Sequence, residues 1–478
     1  MYDAVIIGAG ITGTMLAKDL SRYQLKVALL DKENDIADGA TMANSAIVHT
    51  GYDPEDGMLK AKLNVEGARM YEQLCKDLGC KYKVVGAYIA ACGEEEEKHL
   101  DVLADRAERR GIEHAFLSGD EARKEEPNLN DQVTKVLSFP TTAIIYPWEV
   151  AIACAETAVG NGVELYLNTA VSGIEKKEEG YVVKAGEKSF ETRTVINAAG
   201  VCADQIARMV CDDPGFEMKP RKGEYFVIDN SVHYVHHVIF PVPSAKGKGV
   251  LAVPTVYGNT LLGPNSTYIA STTDTGTDFQ GMDYVRENVS KIMKNVPLRC
   301  SIRNFAGLRP SSSSSDFIID EPLKDFINVA SIESPGLASA PAVSKYVIDT
   351  FLKKDLKMEE NPAAVMTRAR PLVMAELSPE ERAAKIKENP LYGKIICRCE
   401  QISEGEIVDC IHRPCGATSV KGVKKRVRPG MGRCQGGFCS PRVMEILMNE
   451  RHVSWKDIIQ DKAGSYMLTG RTKTQESL

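Results

Sequence analysis

An α/β fold is predicted: a doubly wound parallel sheet interrupted by an antiparallel sheet and followed by a small helical domain. Three observations carry this reading. The chain opens with an apolar strand, a glycine turn and a helix, Val5-Ile-Ile-Gly8-Ala-Gly10-Ile-Thr-Gly13. Alternating strand patterns dominate residues 81–149 and 216–304, and four cysteines cluster late, as Cys397-x-Cys399 and Cys434-x4-Cys439. At 478 residues the chain exceeds what one hydrophobic core supports, so several domains are expected.

Residues 2–7 and 25–31 are short runs rich in Val, Ile and Leu, read as buried strands, with a helix of small and apolar residues over 14–22 between them. That βαβ opening implies a parallel sheet. Apolar runs at 194–200 and 326–331 are further strands of it, the second leading through Glu333-Ser-Pro-Gly336 into a helix over 338–351. The nucleotide domain is therefore expected from separated segments, 1–80, 150–215 and 305–355. Residues 81–149 and 216–304, with strands at 225–229 and 237–241, are read as an antiparallel-sheet substrate domain. The Lys-, Glu- and Pro-rich stretch 356–393 reads as a linker, 394–455 as short helices and loops around cysteines, and 456–478 as a C-terminal tail. The acidic run 94–97 marks an exposed helix face.

Bulk properties exclude several classes. A net charge of −6 gives no chain-wide attraction to nucleic acid or anionic membrane. Thirteen cysteines is an odd number and most lack a spacing pattern, which argues against a disulfide framework and for a reducing, cytoplasmic setting. The chain starts directly in a strand and has no apolar run near the ~18 residues that span a bilayer. Direct membrane insertion is therefore not expected, leaving membrane association only through a partner. An oligomer is compatible with the sequence.

In the opening turn, Gly8 makes the tight bend, Gly10 admits backbone to a pyrophosphate, and Gly13 lets helix pack on strand. The helix N-terminus offers free N–H groups and positive dipole to phosphates. Asp31, ending the second strand, is placed to hold ribose hydroxyls. This pattern serves FAD and NAD alike. Further along come Asn197-Ala-Ala-Gly200, Gly307-Leu-Arg-Pro310 and Ser334-Pro-Gly336-Leu337. In that order, after the opening turn, they resemble the signatures of the D-amino-acid-oxidase-like flavoprotein superfamily over residues 1–355. The resemblance implies FAD, with Ala199 and Gly200 lining it and Gly336 and Leu337 abutting the flavin ring. Asn44-Ser-Ala-Ile-Val-His49-Thr-Gly51, Leu59-Lys-Ala61 and Gly263-Pro-Asn265 resemble two branches of it: L-2-hydroxyglutarate oxidase and anaerobic-type glycerol-3-phosphate dehydrogenase.

Arg309 is the leading candidate for substrate binding, because a guanidinium is a rigid fork matched to carboxylate or phosphate. The resemblance places it near the flavin; the competing reading is a structural arginine paired with a local acid. His49, which the resemblance puts beside the flavin, is a candidate base for the substrate hydroxyl. It also fits covalent attachment of FAD, seen in some relatives, or simple packing. Arg221 and Lys222 either add positive charge for an anionic substrate or form a solvated strand edge. The five serines at 311–315 either cradle a phosphate or form a mobile loop. His233, His236 and His237 fall on a predicted strand without a completed ligand set.

Four thiolates at Cys397, Cys399, Cys434 and Cys439 suit tetrahedral zinc or an iron–sulfur cluster. Their surroundings, Cys397-Arg-Cys399-Glu400 and Arg428-Pro-Gly-Met-Gly-Arg433-Cys434-Gln-Gly-Gly-Phe-Cys439, resemble the bacterioferritin-associated-ferredoxin-like [2Fe-2S] domain over 394–450. Cys410 and Cys415 are read as non-ligands. Lys421, Lys424, Lys425, Arg426, Arg428 and Arg433 form an acid-free basic stretch between Gly416 and Ser440. It offsets the cluster's charge, docks an acidic electron-transfer partner, or is a solvated helix face; without interleaved aromatics, nucleic acid is not an expected partner.

The combined reading is a Rossmann-like FAD-binding domain with an inserted substrate domain and a C-terminal [2Fe-2S] domain. The resemblance implies oxidation of a small anionic hydroxy substrate, glycerol 3-phosphate to dihydroxyacetone phosphate. Electrons then pass from FAD through the cluster to an electron-acceptor protein or companion subunits. Alternatives are L-2-hydroxyglutarate or another 2-hydroxy acid as substrate, release of electrons to oxygen, and a zinc-binding or iron-sensing role for the C-terminal domain.

Overall fold

The computed structural model describes residues 1–243 and 249–470. It divides into two units: Met1–Leu30 with Ala37–Ala369, and Asp31–Ile36 with the chain from Arg370 onward. Part of the expected substrate domain (244–248) and the end of the expected tail (471–478) lie outside the described residues.

In the first unit, an eight-stranded sheet is built on parallel neighbours. Tyr2–Ile7 lies between Lys188–Asn197 and Val27–Leu30, and the latter pairs with Glu164–Tyr166. Phe326–Ala330 joins on the far side of Lys188–Asn197. Val5, Ile6, Val195, Ile196 and Phe326 are fully buried, as strands covered on both faces require. Helix Ile11–Leu20 follows the glycine turn and packs against Pro147–Gly160 and Gly336–Val347. The carboxyl ends of these parallel strands therefore share one edge of the sheet, where such folds bind ligands.

A second, nine-stranded sheet draws on both expected halves of the substrate domain. It is antiparallel except at one junction, where Val238–Pro241 runs parallel to Ala87–Ala91 and joins the two halves. Two expectations are corrected here. Strand Ser301–Arg309 runs across the boundary expected at 304/305, because it pairs antiparallel with Arg221–Ile228 along nearly its whole length. His233, His236 and His237 precede the strand, which starts at Val238; His233 sits at φ 46° in the turn, and the buried Glu126 carboxylate accepts the backbone N–H groups of His236 and His237.

In the second unit, a two-stranded ribbon, Ile395–Cys397 with Ile402–Ser403, leads into helices Glu404–His412, Val420–Val427 and Ser440–Arg451. They enclose a core including Ile407, Val423 and Leu447. Ser403 starts the first helix with a reciprocal bond to Glu406, satisfying two otherwise orphaned backbone donors. The segment read as a linker contains a helix, Pro379–Glu388, because Ser378 and Glu381 form the same capping arrangement. Among the described residues, no helix is long and apolar enough to cross a membrane.

A buried amide ladder braces the first sheet: Asn197 donates to Ala203 O at 2.8 Å and to Asn328 Oδ1 at 2.9 Å, and Asn328 donates to Asp320 Oδ1 at 2.9 Å. Asn197→Ala is expected to cost about 1–3 kcal/mol by stranding those partners. A urea-unfolding midpoint equal to that of the wild type would refute this.

Candidate functional site

The glycine turn is shaped by close approach. Gly8 sits at φ +108°, and a Cβ there would lie 2.3 Å from Ala198 O; one on Gly13 would lie 1.9 Å from Gly8 O. Gly10 occupies the N-cap in extended conformation without a side-chain cap, and Thr41 Oγ1 accepts the Ile11 N–H at 2.9 Å. Ala198 N–H bonds Ile7 O at 2.9 Å, so Ala199 and Gly200 continue from the neighbouring strand end. Gly336 and Leu337 open the helix that follows the next strand over, and Tyr71 donates to Leu337 O at 2.6 Å. Sheet topology thus gathers Gly8, Gly10, Gly13, Ala199, Gly200, Gly336 and Leu337 at one edge. Crowded glycines and a helix start that its own N-cap residue, Gly10, leaves without a side-chain cap fit a dinucleotide such as FAD. Asp31 follows Leu30 directly; its Oδ1 accepts Glu33 N–H at 2.8 Å.

Arg309 and Arg221 stand opposite each other across paired strands. Their surroundings differ. Arg221 is neutralised by Glu333 at 2.6 Å, whose Oε2 also accepts from Ser311. Arg309 makes no ion pair among the described residues. Its guanidinium lies over Gly223, where a Cβ would meet Nη2 at 2.6 Å, and donates to Asn265 O at 3.2 Å and to the Tyr225 hydroxyl. Burial above all, with Arg221 adding to it and Tyr225 opposing, pulls the Arg309 pKa below its ordinary value. Tyr225 is buried, and its hydroxyl also meets Ser45 Oγ at 3.0 Å. A half-buried cation whose nearest carboxylate, Glu333, is already paired with Arg221, and whose own partners are a hydroxyl and backbone carbonyls, is suited to an anionic guest.

His49 lies four residues beyond Ser45, its backbone carbonyl accepting from Asn64 Nδ2 at 2.8 Å and its ring 5.5 Å from that of Phe240. Phe240 and Tyr225 belong to one apolar cluster, so His49 and Arg309 border the same core. Two sequence readings give way here. Lys222 is buried and bonded to Asp278 at 3.2 Å and to Gly276 O, so it is neither a free anion-binding charge nor a solvated edge. Burial alone would lower its pKa, but Asp278, Glu224 and Asp274 outweigh that and raise it. The hydroxyls of three of the 311–315 serines are engaged within the protein: Ser311 bonds Glu333, Ser312 bonds Ser331, and Ser314 Oγ accepts Asp316 N–H. Tyr225, Ser45, Asn265 and Glu333 were not singled out from sequence. Each lies inside a quoted motif or beside one, but only strand pairing brings them to Arg309.

The four expected thiols converge as two hydrogen-bonded pairs, Cys397 with Cys439 and Cys399 with Cys434. The bond from Cys439 first, then backbone N–H groups of Gly430 and Glu400, pull the Cys397 thiol down to about 6; Cys439 is pushed up in turn. Backbone N–H groups of Gly436 and Phe438 point at Cys434. A Cβ on Gly432 would lie 2.5 Å from that of Cys399. Four converging sulfurs with backbone donors aimed at them fit an iron–sulfur cluster, whose potential such bonds tune. Cys399 and Phe438 are exposed, the latter by 87%, so the ligand loops reach the module's surface.

The basic stretch is not a solvated patch. Lys421 pairs with Asp461, Lys425 and Arg426 with Asp35, and Arg428 with Glu400, all within this unit. Cys410 and Cys415 are buried, Cys410 within the module's apolar core.

A family model described as FAD dependent oxidoreductase (DAO) matches residues 3–350, and one for a BFD-like [2Fe-2S] binding domain matches 395–449. A glycerol 3-phosphate dehydrogenase of Caloramator mitchellensis is 46% identical over 99% of this chain and 100% of that protein. A glycerol 3-phosphate oxidase of Mycoplasma pneumoniae is 33% identical over 72% of this chain and 93% of that one. Among solved structures, dithionite-reduced L-α-glycerophosphate oxidase from Mycoplasma pneumoniae with FAD bound superposes with a TM-score of 0.74 at 29% identity, covering 78% of this chain and 99% of that one.

Cys434→Ser is expected to abolish the iron and acid-labile sulfide of anaerobically purified protein, and Cys410→Ala to leave both at wild-type levels. Metal and sulfide assays check both; stoichiometric zinc in the wild type would overturn the assignment.

Proposed function

Starting from the FAD dependent oxidoreductase family to which this chain belongs, we propose that it oxidises glycerol 3-phosphate to dihydroxyacetone phosphate. FAD, when bound, accepts the two electrons, and a [2Fe-2S] cluster at Cys397, Cys399, Cys434 and Cys439 carries them onward one at a time. The observation that carries the substrate class is Arg309: half-buried, without an ion pair among the described residues, and bonded to Tyr225. Its fork holds the phosphate dianion, which Arg221 does not, being taken by Glu333. Tyr225 and Ser45 limit the space beside that anion. His49 accepts the proton from the substrate's secondary hydroxyl through its imidazole. The electron acceptor is a protein or companion subunit meeting the exposed Cys399–Phe438 surface of the C-terminal module, and any membrane association is assigned to that partner. The 2-hydroxy acid alternative has less support, because relatives 46% and 33% identical to this chain are named for glycerol 3-phosphate.

Arg309→Lys keeps the charge and loses the fork, and is expected to lower kcat/KM for glycerol 3-phosphate about 10²-fold, or ~2–3 kcal/mol. His49→Gln is expected to lower kcat by about 10²-fold or more with KM nearly unchanged. Steady-state dye reduction measures both. A preference of about tenfold or more for L-2-hydroxyglutarate in the wild type would replace the proposed substrate.

A further inference from the structure

Along one side of the Arg221–Ile228 strand the backbone ladder is interrupted. Arg221 and Lys222 pair with Tyr268 and Thr267, and Phe226 and Val227 pair with Leu262 and Leu261, but the register slips between the two sets. Gly263-Pro264-Asn265 occupies the gap, where Pro264 has no N–H to offer a ladder. Asn265 replaces the missing rung with its side chain: its Oδ1 accepts the Glu224 N–H at 2.8 Å, and its Nδ2 donates to Glu224 Oε2. Both residues are buried, Asn265 at 4% exposure and Glu224 at 1%. Glu224 Oε1 in turn accepts the Asp278 N–H at 2.7 Å, at the start of helix Phe279–Ile292. Gly281 permits this approach, since a Cβ there would collide with the Glu224 carboxylate and with Asn265 Nδ2.

Successive side chains of a strand point to opposite faces of its sheet. Arg221, Gly223 and Tyr225 therefore share the face that carries Arg309, whereas Lys222 and Glu224 share the other, against Asp278. Asn265 serves both faces. Glu224 clamps its side chain on one, and its backbone carbonyl takes Arg309 Nη2 at 3.2 Å on the other. Arg309 makes no ion pair among the described residues, so its orientation is left to neutral partners: Asn265 O, Arg221 O at 3.5 Å and the Tyr225 hydroxyl. Turning the Asn265 carbonyl turns the fork, because a guanidinium is rigid. We propose that Asn265 is a positioning residue for the phosphate site and that Glu224 holds it in place. Selectivity for the anion is then set partly by a carboxylate on the opposite face of the sheet from Arg309. The inference rests on the reading of Arg309 as the phosphate anchor.

The test measures kcat/KM for glycerol 3-phosphate by dye reduction with the full-length holoenzyme. Asn265→Ala, and Glu224→Gln, which sets an amide donor against Asn265 Nδ2, are each expected to lower it about tenfold, through KM rather than kcat. In an Arg309→Met background, which has no fork to aim, Asn265→Ala is expected to change it by less than about twofold. An equal loss in both backgrounds would mark Asn265 as merely structural and overturn the proposal. Unchanged kcat/KM in Arg309→Met would sink the underlying reading of Arg309. Loss in Arg309→Met with none in Asn265→Ala would sink this inference alone. Should Asn265→Ala fail to fold, or Arg309→Met turn over too slowly to assay, hydrogen exchange on the wild type decides. Inorganic phosphate is expected to slow exchange over residues 277–281, which are tied to the Glu224 carboxylate through Asp278 N–H, and unchanged exchange there overturns the proposal.

Discussion

The first unit depends on the parallel pairing of Lys188–Asn197 with Tyr2–Ile7 on one side and Phe326–Ala330 on the other. Parallel neighbours cannot be joined by a tight turn, so each is reached by a long excursion of chain. The excursion after Asn197 is spent on most of the second sheet, which is why the nucleotide fold is assembled from pieces. Because every strand of this core points the same way, the turns after Ile7, Asn197 and Ala330 emerge at one edge. Close backbone approach there explains the glycines better than flexibility does: Gly8 and Gly13 are hemmed by carbonyl oxygens.

In the second sheet, cross-strand pairing does something less comfortable. It sets Arg221 directly against Arg309, two like charges in a partly dry setting. The protein neutralises only the first, with Glu333. The second is left with hydroxyl and carbonyl partners, an arrangement that costs desolvation until an anion arrives. The proposed specificity for a phosphate rests on that imbalance.

The C-terminal module meets a different constraint. A core of three short helices is small for independent stability, and small domains commonly lean on a metal or on extra cross-links. Here the converging thiols are the proposed metal site, while the helix that precedes the second cysteine pair turns Lys425 and Arg426 to the buried Asp35 carboxylate. Four of the six basic residues, Lys421, Lys425, Arg426 and Arg428, are paired with acids of the same unit, which removes those four from the inventory of free docking charges.

Much was legible in the sequence. The opening glycine spacing, the apolar runs at residues 2–7 and 326–330, and the four-cysteine pattern are local signals, because turn geometry, strand burial and thiolate ligation each demand particular residue types within a few positions. Arg309 stood out through its motif as a candidate. The serines at 311–315, Lys222 and the basic stretch were misread or left open for one reason: their roles depend on acids distant in sequence, Glu333, Asp278 and Asp35. Tyr225, Ser45 and Asn265 escaped notice because a hydroxyl or amide has no chemistry of its own until a strand register puts a guanidinium beside it. Local pattern determined which elements form and which cofactor classes they suit; only tertiary packing decided which charges are neutralised and which remain for a ligand, since an ion pair is a matter of distance in space.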